Sequence, residues 1–355
     1  MKKIVTLFHC NSLGLGGVEN LIRDIQSIST SKNYKTIELY HEEAIESVSE
    51  QIPDVDMIKI ENKFCGLYKP ISKRLSTKFH INGINLNAND TLVIFHPESL
   101  LEIPKTILSK VKVIWVQTNK LSVLCKRFGL LSLKLRGKYI NNVIVYTQSD
   151  KNNFQTELGF LHPSFNIIPR ACRLEKGKSK KSFSKKMVSI CRIEEKQKNL
   201  SEMVSIAGEL KDGVTLDIYG PGSDEEVMSL KQVISLYDNV RYCGATNNIK
   251  EVLSNYDVFI MTSYYEGFGQ TLIEARSQGL PIIAYDTFDA LRWIVIDGLN
   301  GEIVPWRDKA SFQRSIQKVF SSTNYFSSLS EGAIRKSEDT EKRKINKLWI
   351  DILTT

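Results

Sequence analysis

Short, almost uninterrupted apolar runs recur along the chain, separated by longer stretches of mixed polarity. The first half carries IVTLF (4–8), TLVIF (91–95), VKVIWV (111–116) and VIVYT (143–147). The second carries MVSIC (187–191), TLDIYG (215–220), YDVFIM (256–261) and PIIAY (281–285). Runs of this length without polar alternation predict strands covered on both faces. Their alternation with helical stretches predicts parallel sheets wrapped by helices. Between the halves, KGKSKKSFSKK (176–186) is polar and basic and reads as a linker or exposed loop. The expected division is 1–169, a linker over 170–186, a second domain over 187–330, and a C-terminal helical segment over 331–355.

Composition changes this picture little. A chain of 355 residues exceeds one typical core, in line with two domains. No run approaches the length of a membrane-spanning helix. MKKIVTLFHCNSLG at the start has a short apolar part broken by His9, Cys10 and Asn11, and reads as a first strand rather than a leader. The cysteines at 10, 65, 125, 172, 191 and 243 form no C-x-x-C pair, which suits a reducing, cytoplasmic setting and neither a disulfide framework nor a zinc site. The formal charge is +8, and residues 120–138 hold six basic residues and no acidic one, interleaved with leucines and Phe128. Two readings of that stretch stand side by side. One is an amphipathic patch for an anionic membrane surface or a lipid-linked acceptor; the other is a helix with a core side and a solvated basic side. No nucleic-acid module accompanies the charge.

The most informative stretch is SYYEGFGQTLIEARSQGLPIIAYD (263–286). Glu266 and Glu274 flank seven residues, Gly267 and Gly269 form a turn, and Gly279-Leu280-Pro281 closes a helix. A strand, glycine turn, helix and second strand in that order put Glu266 at a strand's carboxyl end and backbone N–H groups toward a crevice. This stretch resembles the donor-sugar site of retaining GT-B glycosyltransferases, glycosyltransferase family 4 in particular. The resemblance implies two Rossmann-like domains facing across a cleft, and a C-terminal helix that crosses back to the first domain. It further implies a hexosyltransferase-type enzyme that moves a sugar from a nucleotide diphosphate, with UDP expected, to a glycan or lipid-linked acceptor. Bacterial surface polysaccharide is the expected setting, at the inner face of the cell membrane.

The same resemblance distributes roles. Glu266 holds donor-sugar hydroxyls and Glu274 the ribose, since a carboxylate accepts two hydroxyl donors. Arg192 and Lys198, in MVSICRIEEKQKNL, neutralise the pyrophosphate, with Lys196 competing for the second role. They do a cation's work, so no cofactor or metal is expected. Gly267, Phe268 and Gly269 complete the donor loop. Gly220 and Gly222 let backbone approach the nucleotide, and Thr246 or Asn247 reaches the base. In the first half, Gly16 and Gly17 open a helix toward a donor phosphate, with Glu19 in its first turn. A dinucleotide site using Glu38 competes only locally. His96, Gln117 and Thr118 are the candidate sugar or acceptor contacts, the last two standing where relatives place a histidine. Arg170-Ala171-Cys172 stands where they show Asn-Gly. Asp54-Val55-Asp56 matches the metal-binding string of another transferase fold and reads here as a turn before a strand. A phosphorylase or epimerase, and a non-catalytic sugar-binding subunit, are the alternatives.

Overall fold

The computed structural model describes residues 1–14, 16–44, 52–64, 69–126, 128–211 and 213–355. Cys65 and Arg127 therefore lie outside the described residues. The chain forms two units, Met1–Arg170 with Ile345–Thr355, and Ala171–Lys344.

The first unit is built on seven parallel strands: β1 (Lys3–Leu7), β2 (Lys35–Tyr40), β3 (Val55–Lys59), β4 (Thr91–Ile94), β5 (Lys112–Val116), β6 (Asn142–Val145) and β7 (Ser164–Ile167). Their order is β3-β2-β1-β4-β5-β6-β7. The chain winds outward in both directions from β1, so the order reverses between β1 and β4, whose register pairs Val5 with Leu92. Strands β1, β4 and β5 are buried almost throughout, and Val5, Leu39, Trp115 and Phe154 belong to one core.

The second unit repeats the plan with β8 (Lys186–Ile190), β9 (Thr215–Tyr219), β10 (Val240–Tyr242), β11 (Val258–Met261), β12 (Ile282–Tyr285) and β13 (Gly301–Val304). Their order is β10-β9-β8-β11-β12-β13, again all parallel, with the reversal between β8 and β11. Its separate core includes Met187, Leu216, Ile260, Ile283 and Phe312. In an open parallel sheet, the loops leaving the strands on either side of such a reversal diverge and leave a crevice at their carboxyl ends.

The expected linker behaves differently. Residues 171–186 hold neither helix nor strand until β8 begins, yet they belong to the second unit, because its groups satisfy their backbone. Gly177 N–H donates to the Ser277 carbonyl at 2.8 Å, Lys180 N–H to Ser330 Oγ at 2.7 Å, and Ser184 N–H to Asp257 Oδ2 at 2.8 Å. Phe183 meets Phe326 edge-on at 5.3 Å. Lys176, Lys178, Lys181 and Lys186 stay exposed while the main chain is held, which is why polarity alone suggested a loose tether.

The C-terminal segment also divides later than expected. Helix Thr323–Lys336 buries Phe326, Leu329 and Ala333 and so stays with the second unit. Only residues 345–355 join the first, where Lys2 Nζ donates to the Leu353 carbonyl at 2.6 Å and Lys112 Nζ to that of Ile352 at 2.7 Å.

Candidate functional site

In the second unit, the loops after β8 and β11 bring the principal charged residues together. After β8 the chain passes Arg192 and makes one helical turn, Glu195–Lys198. It then bends at Asn199, in the left-handed region at φ 54°, into helix Leu200–Gly208. After β11 it runs through Thr262 and Ser263 to Glu266. The two loops are bonded to each other. Thr262 Oγ1 donates to the carbonyls of Lys198 and Asn199 at 3.1 and 3.0 Å. Tyr264 N–H donates to the Gln197 carbonyl at 2.8 Å, and Gln197 Nε2 to that of Tyr265 at 3.2 Å.

On this frame Lys198 Nζ lies 2.6 Å from Glu266 Oε1, which also accepts from Ser263 Oγ at 2.8 Å. The two side chains are only 12% and 11% exposed. Burial disfavours the ammonium, but the Glu266 carboxylate outweighs it and holds Lys198 above the ordinary lysine range. Lys196 is exposed, so of the two competing lysines it is Lys198 that meets Glu266. Arg192 is not drawn into the pair: its side chain is 63% exposed, with a loose 3.5 Å contact to Glu194.

Glu274 lies in helix Gln270–Ser277, which starts at Gly269 with φ 94°, a value only glycine adopts readily. Its carboxylate is fully buried. Oε1 accepts from Arg173 Nε and Nη2 at 2.7 and 2.5 Å and from Gln270 Nε2 at 3.2 Å. Two acceptors one helical turn apart, Glu274 Oε2 and Gln270 Oε1, are buried with no hydrogen-bond partner among the described residues. Buried carboxylate and amide oxygens without donors are rare and point to a group that supplies them. Sequence reasoning missed both Arg173 and Gln270. Gln270 stands one helical turn before Glu274, a spacing that could have flagged it, whereas Arg173 lies 101 residues from its partner.

The glycines divide by cause. A Cβ on Gly220, at φ 146°, would stand 1.6 Å from the Cys191 carbonyl oxygen, and one on Gly222 would stand 2.6 Å from Ile193 Cβ. These glycines let the β9 exit pack against the β8 exit, so the close approach expected toward a nucleotide is made instead to protein backbone. Phe268 is buried beside Trp293, 5.9 Å between ring centres, and acts as a wedge under the Gly267–Gly269 turn.

In the first unit, Gly16 caps helix Gly17–Ser31 without a side-chain bond, and the buried Arg170 guanidinium donates to the Gly17 carbonyl. Glu38, the local dinucleotide candidate, is buried in β2. It accepts from Ser12 N–H and Oγ and from Gln26 Nε2 at 2.5 to 2.6 Å, and so is already engaged by protein groups. Gln117 is likewise committed: it is buried, and Nε2 donates to Asp150 Oδ1 at 2.9 Å, which ties β5 to helix Gln148–Glu157. That bond removes it from the acceptor contacts. Thr118 Oγ1 donates to the Phe95 carbonyl at 3.2 Å. Asp54 sits in a turn at φ 62°, and Asp56 lies in β3, 3.1 Å from Lys35.

His96 stands apart from these. It follows β4 and lines a cavity of about 220 Å³ at the carboxyl ends of β1, β2 and β4, with His9, His41, Lys73, Glu98 and Glu102. Its ring stacks on Phe8 at 5.5 Å and lies 5.7 Å from that of His9. Burial, then the neighbouring His9 and Lys73, push its pKa from 6.5 to about 4, so the imidazole is neutral at pH 7. The folded state therefore takes up this proton less readily than the unfolded chain. Stability present above about pH 6.5 is lost as pH falls toward 4, by up to about 3 kcal/mol. His96→Gln should flatten the decline of the urea midpoint between about pH 7 and about pH 5. An unchanged pH slope in that variant would remove His96 as its source.

Residues 173–336 match the family Glycosyl transferases group 1. The chain is 30% identical over 194 residues to the GtfA subunit of the UDP-N-acetylglucosamine–peptide N-acetylglucosaminyltransferase of Streptococcus parasanguinis, which covers 52% of this chain and 38% of that protein. It thus spans well under half the length of that relative. It is 26% identical over 241 residues to the amylovoran biosynthesis glycosyltransferase AmsD of Erwinia amylovora, covering 66% and 65% of the two chains. Over the full length of both chains it superposes on Anabaena HepE, solved in complex with UDP and glucose, with a TM-score of 0.78 at 15% identity. The fold is accordingly GT-B, with two Rossmann-like α/β domains.

Proposed function

We propose that the chain, whose residues 173–336 match the family Glycosyl transferases group 1, moves a sugar from a UDP-sugar to a hydroxyl of a glycan or lipid-linked glycan, with retention and without a metal. The observation that carries the donor assignment is the pair of buried, unpartnered acceptors, Glu274 Oε2 and Gln270 Oε1. A ribose offers two adjacent hydroxyl donors and answers both. Arg173 holds the other Glu274 oxygen, which orients the carboxylate.

Lys198 and Glu266 then divide the remaining work. The ammonium balances charge that gathers on the departing diphosphate, and Arg192, exposed and only loosely held by Glu194, is the second cation for it. The Glu266 carboxylate exchanges its Ser263 donor for sugar hydroxyls. With these cations supplying the electrostatics, no metal step is required. Retention is supported by the resemblance of the Glu266–Glu274 segment, in which the departing phosphate takes the acceptor's proton on the same face. The acceptor hydroxyl we assign to the His96 cavity, where the neutral His96 imidazole offers one donor and one acceptor. The Gly16–Gly17 helix start, with Arg170 beside it, suits an anionic group.

Thermal unfolding with UDP, 2′-deoxy-UDP, GDP, ADP and CDP tests the donor assignment. A ligand at about a hundred times its dissociation constant stabilises by about 2.7 kcal/mol, which moves the midpoint by several degrees. UDP should shift it, 2′-deoxy-UDP should shift it less, and Glu274→Ala should abolish the difference. Equal shifts with the ribo and deoxy forms would remove the ribose from Glu274.

A further inference from the structure

The cavity beside His96 holds a nearly buried carboxylate, Glu102. It follows the single turn Pro97–Leu101 after β4, and its side chain is 13% exposed. Oε2 faces His41 Nε2 at 3.6 Å and Oε1 faces Lys73 Nζ at 3.7 Å, both beyond hydrogen-bond length. Burial opposes its ionisation, but His41 and then Lys73 outweigh burial and hold Glu102 below the ordinary glutamate range. It is therefore charged at pH 7, an acceptor with lone pairs left open. His41 Nε2 is buried and has no hydrogen-bond partner among the described residues either. A hydroxyl lodged beside this gap donates to Glu102 and accepts from the Nε2–H tautomer of His41.

Charge decides which sugar ring fits. The charged groups that line the cavity or act on His9, His96 and Glu102 are Glu19, Glu42, Glu98 and Glu102, against Lys73 and Arg74. His96 is neutral at pH 7 and adds no positive charge. Burial, helped by Lys73 and His41, likewise lowers the pKa of His9 against the pull of Glu19 and Glu42. Among the described lining residues Lys73 is the permanent cation, and Glu102 already faces it. An acidic ring would have to take Lys73 from Glu102, leaving one carboxylate in the cavity without a counter-charge. A neutral ring meets no such penalty and brings hydroxyl donors to Glu102. At about 220 Å³ the cavity suits a single ring, below the ~300 Å³ at which pockets for larger ligands begin.

We propose that Glu102 makes this cavity selective for an uncharged sugar ring on the acceptor, and that it turns away uronic acids and sugar phosphates. This selectivity rests on the placement of the acceptor in the cavity and is independent of the donor. Its test reads binding to the full chain, with the ring nitrogen signals of the 5 histidines as reporters in nuclear magnetic resonance. Methyl glucoside and methyl glucuronide are the probes, at pH 7. The glucoside should move the His41 and His96 signals, and the glucuronide should need a concentration at least about tenfold higher. Glu102→Gln should narrow that gap to about threefold or less, and Glu98→Gln, at the exposed rim, should narrow it in part. Unmoved signals from His80 and His162, which do not line the cavity, certify the fold of each variant. Equal binding of the two glycosides, tighter binding of the glucuronide, or an unchanged gap in Glu102→Gln overturns the selectivity while leaving a sugar in the cavity. Signals of His41 and His96 that move with neither glycoside overturn the placement of the acceptor itself, and the selectivity with it.

Discussion

Lys198→Met should lower the turnover of a UDP-sugar by roughly 10²–10³-fold, read as UDP release at saturating donor. The reason is geometric. Lys198 is 12% exposed, its carbonyl is held by Thr262, and its ammonium is fully charged because Glu266 stands 2.6 Å away. A cation held this way needs no reorganisation when charge appears on a leaving phosphate. The substitution also leaves the Glu266 carboxylate with only Ser263 as a donor among the described residues, at a site where an unpaired charge costs about 3–5 kcal/mol. Lys198→Met combined with Glu266→Gln should recover most of that stability and none of the turnover. A single variant that keeps turnover within a few-fold of the parent would exclude Lys198 as the counter-charge to the leaving group.

Arg173→Ala should be the most destabilising of the charge deletions in the second unit, again by about 3–5 kcal/mol in urea unfolding. Glu274 is fully buried, and Arg173 supplies two of its three donors. The partner deletion should cost less, because Arg173 is 30% exposed and can turn to water when Glu274 is removed. That asymmetry is the discriminating result. Equal costs for Arg173→Ala and Glu274→Ala would mean that the carboxylate reaches water when unpaired, and the buried-acceptor argument for a ribose would fall with it. UDP should rescue Arg173→Ala only weakly, since the carboxylate loses its orientation along with its neutralising charge.

The sequence made the fold legible where a strand is apolar on both faces. Strands β4, β5, β8, β11 and β12 stood out for that reason. Strands β2, β7 and β13 did not, because each carries polar residues whose partners are distant or absent. Glu38 in β2 is bonded to Ser12 and Gln26, and Glu302 in β13 lies 2.8 Å from Lys318 on the helix Lys309–Ser321. Strand β7 is an outer strand with Ser164 exposed. A local pattern sees the carboxylate and not the group that satisfies it. The same limit governs the site. The resemblance of segment 263–286 singled out Glu266 and Glu274, and that of the loop after β8 singled out Lys198. Arg173 was invisible because its partner lies 101 residues away. Gly220 was singled out as a special glycine, but its closest constraint, the Cys191 carbonyl where a side chain would stand, is 29 residues away and was not legible. Gln117 showed the reverse error, a polar residue at a strand end that protein groups had already engaged.

The bonds between the loops after β8 and β11 bear on how such a chain can diversify. Thr262, Tyr264 and Gln197 tie the lysine and the glutamate into one element anchored on a single sheet. The spacing between the Lys198 ammonium and the Glu266 carboxylate is therefore inherited as a block. Loops of the first unit, such as those around His96, can lengthen, shorten or change composition over generations without retuning that block. What the first unit presents is then free to drift quickly in a lineage whose Lys198–Glu266 spacing stays put.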